Sequence, residues 1–143
     1  MKLEEVEAHW ELDAKIDRTD LDNESLKIPT LHSKYYKIYL REKILLKAEE
    51  QDHKIYHRLK YEYYTGKLSK EELDENKWEP FQFVLKNDIQ IYMDADKEVA
   101  ERLIKIQVQR EKVDLLESII KTLNGRGFLI KNAIDFIRFT SGN

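Results

Sequence analysis

The sequence predicts an all-α fold, an elongated helical bundle with long helices at about residues 30–64 and 95–123. Its 143 residues include only 4 glycines and 2 prolines, which is too few to punctuate a many-stranded fold. Apolar residues recur at helical spacing through both long segments. The length is typical of one domain, so residues 1–143 are expected to share a single modest core or to complete that core by association.

Local signals set the boundaries of the first helices. A first helix is expected from Leu3 to Ile16, followed by a polar stretch over residues 17–24. Pro29 favours the start of the first long helix, because its fixed φ and missing N–H are tolerated in a first turn. Gly66 is expected to end that helix, since glycine readily adopts the left-handed conformation of a C-terminal cap.

The second half of the chain carries a seam of apolar residues. Before it, Ser69 and Glu72 match a capping box for a short helix, and residues 76–83 are expected to form an aromatic connector. Asp94 or Asp96 can cap the second long helix. The seam, with a seven-residue repeat typical of coiled coils, consists of Val99, Ile106, Val113 and Ile120, with Leu116 and Leu123 interleaved.

Gly125-Arg126-Gly127 is expected to break the second long helix, so that residues 1–124 form the helical body and residues 125–143 a separate assembly helix. This last helix is too apolar for a free tail, and isolated helices this short are marginal in water. It must therefore dock on its own protomer or on a neighbour. The predicted oligomerisation face consists of Phe128, Ile130, Ile134 and Ile137, with the Val99–Ile120 seam as the alternative interface.

Composition excludes several classes of protein. Charged residues make up 37% of the chain, the mean hydropathy is −0.69, and no 18-residue window is free of charge, so we expect neither a membrane span nor a secretory signal. Without cysteine there is no disulfide, zinc ribbon or thiol chemistry. No phosphate-binding loop and no nucleophile beside a base occur in the sequence. We therefore expect no enzymatic activity and no cofactor.

Charge is segregated along the chain. Residues 34–67 contain nine basic and five acidic residues, a balance of +4, whereas residues 1–29 and 70–120 each have a balance of −5 and residues 121–143 have +3. Exposed charges more than about 8 Å apart are largely screened from each other, so one surface can be basic while another is acidic. The acidic segments are candidate surfaces for protein partners or for contacts between protomers.

The first long helix has two opposed faces when its residues are placed 100° apart. One face, within an arc of about 60°, carries cations and aromatic rings: Tyr36, Lys43, Lys47, Lys54, Arg58 and Tyr61. The other, expected to pack on neighbouring helices, carries Leu31, Ile38, Ile44, Leu45, Ala48, Ile55, Leu59 and Tyr63. The basic face is either the solvated side of a bundle or a binding surface for a single-stranded nucleic acid, which requires cations and stacking rings.

Three polar residues within the first long helix have more than one interpretation. Asp52 falls within the apolar arc, where a buried polar group would fix helix register, or it lies at a frayed edge. His53 and His57 are one turn apart, which a metal site allows, but no third ligand of defined spacing accompanies them. We expect them to be surface residues or additional phosphate contacts, and we expect no metal.

Several motifs resemble the UvsY family of phage recombination mediators. They are Tyr63-Tyr64-Thr65-Gly66-Lys67, Arg126-Gly127-Phe128-Leu129-Ile130-Lys131, the Ile16-Asp17 end of the acidic first helix, Ser33-Lys34-Tyr35 and Phe139-Thr140-Ser141-Gly142. The resemblance implies a ring-like homo-oligomer, a hexamer or heptamer, that binds single-stranded DNA without catalysis. It also implies that the protein helps a RecA-like recombinase displace single-stranded DNA-binding protein during recombination, repair and replication of phage DNA in the host cytoplasm.

The resemblance also suggests the residues that contact DNA, within a region of about residues 34–67. The family motif Lys-Ala-Arg-Leu falls on Arg58, Leu59, Lys60 and Tyr61, with the two charges kept and their types exchanged. The predicted DNA-binding residues are Arg58, Lys60, Lys54, Lys47, Lys43, Tyr61 and Lys67. Tyr61 either stacks on bases or packs on the next helix. The alternative function is a non-catalytic helical scaffold, and the alternative DNA contacts are Lys121, Arg126, Lys131 and Arg138.

Overall fold

The computed structural model describes residues 1–81 and 85–142, and within them every regular element is a helix. The predicted all-α class is therefore confirmed, including both long helices. The α-helices are α1 (Leu3–Asp13), α2 (Leu21–Leu26), α3 (Ile28–Tyr64), α4 (Lys70–Asn76), α5 (Ile89–Asp94) and α6 (Lys97–Thr140), with a 3₁₀ helix at Lys86–Asp88.

The long helix α3 begins and ends as predicted. Pro29 is its second residue, where a missing N–H leaves no hydrogen bond unmade. After Tyr64 the chain turns at Gly66, whose φ of +70° suits glycine. The N–H of Lys67 donates to the carbonyl of Glu62 at 2.9 Å, and the N–H of Gly66 donates to that of Tyr63 at 3.1 Å, so the last carbonyl groups of the helix are satisfied.

The capping box before α4 is also confirmed. The Glu72 N–H donates to the Ser69 hydroxyl at 3.2 Å, and the Ser69 N–H donates to the Glu72 carboxylate at 2.9 Å. The connector predicted after it, residues 76–83, has no regular structure from Trp78 to Phe81, and its last residues lie outside the described part of the chain.

The start and the seam of α6 match the sequence prediction. Asp96 is the N-terminal cap, and its carboxylate accepts a hydrogen bond from the Val99 N–H at 3.0 Å. The six seam residues from Val99 to Leu123 are all buried. Gln109 lies one heptad before Leu116 and is buried as well, because its amide donates to the Glu42 carboxylate at 2.7 Å. A polar residue thus occupies the interleaved position of the seam one heptad before Leu116.

The predicted break at Gly125-Arg126-Gly127 is wrong, because α6 continues through it to Thr140. Each glycine costs a helix about 1 kcal/mol relative to alanine, which tertiary contacts can offset. Arg126 provides such contacts: it is 2% exposed, and its guanidinium donates to the carbonyls of Asp13 at 2.8 Å and Lys15 at 3.0 Å. Residues 125–140 are therefore the end of α6 and not a separate helix.

The shorter helices differ from the prediction in detail. The first helix ends at Asp13, and the expected polar stretch over residues 17–24 includes most of α2. Helix α5 was not predicted at all. Helices of six residues show fewer than two turns, too few for a hydrophobic period to appear.

The chain forms two compact units. Unit 1 comprises residues 1–46 and 108–142, and unit 2 comprises the described residues of 47–107. Each takes part of α3 and part of α6, and the single-domain organisation of residues 1–143 stays a prediction. The core of unit 1 consists of Val6, Tyr35, Leu116, Ile119, Ile120 and Leu123, with Trp10, Leu31, Ile38, Tyr39 and Leu115 packed against it.

Only part of the apolar arc predicted for α3 packs inward, with Leu31 and Ile38 against the core of unit 1. Of that arc, Ile44 and Ile55 are 69% and 63% exposed, and Leu45 and Ala48 are exposed as well. Other buried or half-buried positions of α3 repeat with heptad spacing and are occupied largely by polar side chains: Tyr35, Glu42, Leu46, Glu49, His53, Tyr56 and Lys60. Hydrophobicity does not predict these positions, because Glu42 and Lys60 are buried through pairing with Gln109 and Asp96.

Candidate nucleic-acid interface

Most predicted DNA-binding residues of unit 2 face solvent on α3. Lys47, Lys54 and Arg58 are exposed, and the Arg58 side chain retains 81% of its accessible surface. Its Nε lies 3.2 Å from the Glu62 carboxylate one turn later, an exposed ion pair that contributes little to stability. These cations are therefore accessible to a phosphate group.

Tyr61 and Lys67 are brought together at the end of α3. The ring of Tyr61 is 39% exposed, and the Lys67 ammonium lies 6.0 Å from its centre. The turn at Gly66 places Lys67 there, because it reverses the chain after the last helical residue. A cation beside an accessible ring suits a nucleotide, which offers a phosphate and a flat base together.

Lys60 occupies a different environment from the other predicted cations, contrary to the sequence expectation. It is 5% exposed, and its ammonium lies 3.0 Å from the Asp96 carboxylate and 3.3 Å from that of Glu98. The centre of the Trp78 ring is 4.2 Å away. In this structure the Lys60 charge is neutralised within unit 2 and does not face solvent.

Asp96 is the centre of this buried cluster. Besides capping α6 and pairing with Lys60, it accepts a hydrogen bond from the Tyr64 hydroxyl at 2.6 Å. Burial acts to raise the pKa of Asp96, but the hydrogen bonds from Tyr64, Val99 and Lys60 hold it below its ordinary value. Burial and this hydrogen bond raise the pKa of Tyr64, which therefore stays protonated.

Aromatic rings surround the end of α3. The Tyr64 and Phe81 centroids are 4.8 Å apart, those of Tyr63 and Trp78 are 5.1 Å apart, and the Tyr63 hydroxyl donates to the Glu79 carbonyl at 2.7 Å. The paired tyrosines of the sequence motif therefore hold the aromatic connector against α3. The aromatic residues Trp78 and Phe81 made the connector recognisable in the sequence. They did not show that the connector packs against the tyrosines at the end of α3.

The cations and rings of unit 1 form a second exposed group on α3. Lys43 is exposed, and its ammonium lies 5.4 Å from the centre of the Tyr39 ring. Tyr36 is 43% exposed. The alternative contact Arg126 is buried and bonded to α1, so it does not belong to an accessible surface.

The predicted oligomerisation residues divide into two groups, all in unit 1. Ile130 is 2% exposed and packs within its own chain, and Ile134 is half-buried. Phe128 and Ile137 are 73% and 41% exposed, and other large apolar side chains of the same stretch face solvent with them. These are Leu129, Phe136 and Phe139.

The structure distinguishes the environments of the polar residues Asp52 and His53 in α3. Asp52 is exposed, so the suggestion that it is a buried register residue is wrong. His53 is half-buried beside a cavity of about 280 Å³ lined also by Glu49, Arg102 and Lys105. Among residues 1–81 and 85–142, no three His, Asp or Glu side chains are grouped so as to hold a metal ion.

Within residues 1–81 and 85–142, no helix is both long and apolar enough to cross a membrane. The regular elements of these residues are all helices, and the exposed cations and rings of α3 have a chemistry that suits a single-stranded nucleic acid.

Comparison with known proteins identifies the family. The sequence matches the family described as recombination, repair and ssDNA binding protein UvsY over residues 9–143. The recombination protein uvsY of Enterobacteria phage T4 is 26% identical over 143 residues, which cover 99% of both chains. This chain therefore belongs to the UvsY family, as the sequence motifs predicted.

Crystal structures of the bacteriophage T4 recombination mediator protein UvsY show the same fold. In lattice type II the TM-score is 0.83 at 23% identity, covering 99% of this chain and 98% of that one. In lattice type IV the TM-score is 0.79 at 22% identity, covering 98% and 99%.

Proposed function

We propose that this chain is a recombination mediator that binds single-stranded DNA and helps load a RecA-like recombinase onto strands coated by single-stranded DNA-binding protein. It would act in phage homologous recombination, recombination-dependent replication and repair, in the host cytoplasm and without catalysis of its own. One observation carries the proposal: in a member of the UvsY family, cations of α3 are exposed, and Lys67 just after that helix lies beside the accessible ring of Tyr61.

The proposed contact surface in unit 2 consists of Lys47, Lys54, Arg58, Tyr61 and Lys67. Each lysine or arginine that binds a phosphate releases a counterion, which makes the slope of log K against log salt more negative by about 0.7 for a single strand. Tyr61 would add stacking without reading base identity. Binding should therefore depend strongly on salt and weakly on base composition.

Lys60 has a supporting role in this proposal. Its ammonium holds the end of α3 against the start of α6 through Asp96, and this fixes the turn that carries Arg58 and Tyr61. A buried ammonium cannot release a counterion from DNA, so Lys60 should contribute to stability more than to the salt dependence of binding.

Assembly would turn weak contacts into a stable complex. The exposed residues Phe128 and Ile137 form part of an apolar surface that suits a second copy of the chain. In a ring of protomers, such as a hexamer or heptamer, one strand crossing successive basic surfaces binds each further protomer as an intramolecular event. Ile130 keeps this end of α6 attached to its own protomer.

A mediator of this kind acts by preferring one state of the strand. Single-stranded DNA held across several protomers would be bent and extended, a state to which the coating protein binds less well. The recombinase could then nucleate on the released strand. Surfaces for these two protein partners would be the acidic segments, residues 1–29 and 70–120.

Fluorescence anisotropy with a labelled dT oligonucleotide over a salt series tests the proposal. The variant Lys54→Ala/Arg58→Ala should bind more weakly and with a shallower salt slope. Lys97→Ala is the matched control, because it removes an exposed cation, 90% accessible, at the start of α6. If the double variant keeps both affinity and slope, the basic face is only solvated and the chain is a helical scaffold.

A further inference from the structure

Four side chains of unit 1 form a continuous row on α3. The His32 and Tyr36 rings are stacked, with centroids 5.6 Å apart and planes 14° from parallel. The Tyr36 and Tyr39 centroids follow at 6.1 Å. Lys43 ends the row, with its ammonium 5.4 Å from the Tyr39 ring centre and 3.3 Å from the Tyr39 hydroxyl oxygen. Spacings of three and four residues place these side chains on one face of the helix.

Packing within the chain explains only part of this row, because Tyr39 packs against the core of unit 1 but Tyr36 is exposed. Tyr35 is fully buried, and its hydroxyl donates to the Asp13 carboxylate at 2.7 Å, so the core of unit 1 uses that tyrosine. Its neighbour Tyr36 is 43% exposed and leaves much of its ring in water. The rings of His32 and Tyr36 overlap only partly at their separation, so each keeps a free area on which another flat group can lie.

The surroundings of the row are cationic. Within residues 32–46 there are four basic residues and one acidic residue. The acidic residue, Glu42, is buried and lies 3.1 Å from the Lys112 ammonium, so it does not oppose the exposed charges. Lys37, Arg41 and Lys43 are exposed, which leaves a positive potential beside the rings.

We propose that His32, Tyr36, Tyr39 and Lys43 form a base-stacking platform for single-stranded DNA, with bases on the rings and a phosphate at Lys43. The platform rests on the proposed function and adds a second binding surface to it, in unit 1. Its ring separations of 5.6 and 6.1 Å exceed the rise of about 3.4 Å per nucleotide in a stacked strand. A strand that places successive bases on successive rings is therefore extended.

Two oligonucleotides of equal phosphate number separate stacking from charge: dT and an abasic strand of the same length. The unmodified protein should bind dT more tightly. Tyr36→Leu, which keeps an apolar side chain but no ring, should weaken dT binding on the order of five- to a hundredfold for each base that no longer stacks. It should leave the salt slope and the abasic affinity unchanged. Tyr36→Phe should bind as the unmodified protein does.

Leu40→Ala is the matched control, because it removes another exposed apolar side chain of α3 without removing a ring. It should leave dT binding unchanged. Photocrosslinking of the unmodified protein to an oligonucleotide carrying 5-iododeoxyuridine gives an independent readout. The modified peptide should contain Tyr36. This readout decides the question even if Tyr36→Leu loses helicity, because stacking on Tyr61 also favours dT over abasic DNA.

The outcomes separate the two proposals. If the unmodified protein binds neither oligonucleotide, the proposed function fails and the platform fails with it. If it binds dT and abasic DNA equally, or if a folded Tyr36→Leu variant binds dT normally, DNA binding stands and the platform is overturned. Crosslinks confined to residues outside 32–43, Tyr61 included, would also overturn it.

Discussion

Replacing Asp96 tests the cluster that joins the end of α3 to the start of α6. Asp96→Ala removes the cap of α6, the acceptor of the Tyr64 hydroxyl and the closest counter-charge of Lys60. Asp96→Asn is the matched control, because asparagine caps a helix as well as aspartate does but carries no charge.

The expected magnitude follows from the burial of these groups. Loss of a cap costs about 1 kcal/mol, and removal of one partner from a buried ion pair costs about 3–5 kcal/mol. Lys60 and Asp96 side chains are 6% and 5% exposed, so solvent screens the pair little. Because these contributions meet at one carboxylate they overlap, and we expect the free energy of unfolding to fall by about 3–5 kcal/mol in all. Asp96→Asn should lose less.

Urea unfolding followed by far-ultraviolet circular dichroism measures this change at a fixed protein concentration, since assembly shifts apparent stability. A double-mutant cycle with Lys60→Met isolates the ion pair, and we expect a coupling of about 1–3 kcal/mol. A loss below about 1 kcal/mol for Asp96→Ala, with no coupling to Lys60, would refute a buried cluster at this position.

Substitutions at other residues test their placement in the same way. Lys60→Met should leave the salt slope of DNA binding unchanged, whereas Arg58→Ala should make it shallower by about 0.7 for each phosphate that is no longer bound; equal slopes would contradict the separation of their roles. Phe128→Glu should lower the mass measured by sedimentation without loss of helicity, whereas Ile130→Ala should destabilise each protomer by about 2–5 kcal/mol; unchanged mass for Phe128→Glu would place the interface elsewhere. Burial, then the charges of His57 and Arg102, hold the pKa of His53 below its ordinary 6.5, so the unfolded chain binds a proton there more readily and stability should fall as pH drops below that value. In urea unfolding at a series of pH values, His53→Gln should remove part of that fall, and an unchanged pH dependence would argue against it.

The sequence predicted the features of the fold that depend on short-range chemistry. Gly66, Ser69 and Asp96 act at helix ends through hydrogen bonds to residues close to them in the chain, and so their roles can be recognised from local motifs. The seam from Val99 to Leu123 could be predicted because its apolar residues repeat over many turns.

The features that were missed depend on partners far apart in the sequence. Judged by its residue type and its position in the sequence, Lys60 is a candidate DNA-binding cation. Only its pairing with Asp96, 36 positions later, shows that it is a buried cation. The buried polar positions of α3 could not be predicted for the same reason, since Glu42 is buried because it pairs with Gln109 and Lys112. Hydrophobicity does not show such pairings.

The bonds of Arg126 have a consequence for the order in which the chain folds. Its guanidinium donates to the carbonyl of Asp13, the last residue of α1, and to that of Lys15 just after it, from 113 and 111 residues further along the chain. An eleven-residue helix is marginal in water by itself, and its terminal carbonyls need partners. During synthesis, therefore, the C-terminal end of α1 is completed only after residue 126 has been added. Until then the carbonyls of Asp13 and Lys15 lack the partner that Arg126 provides.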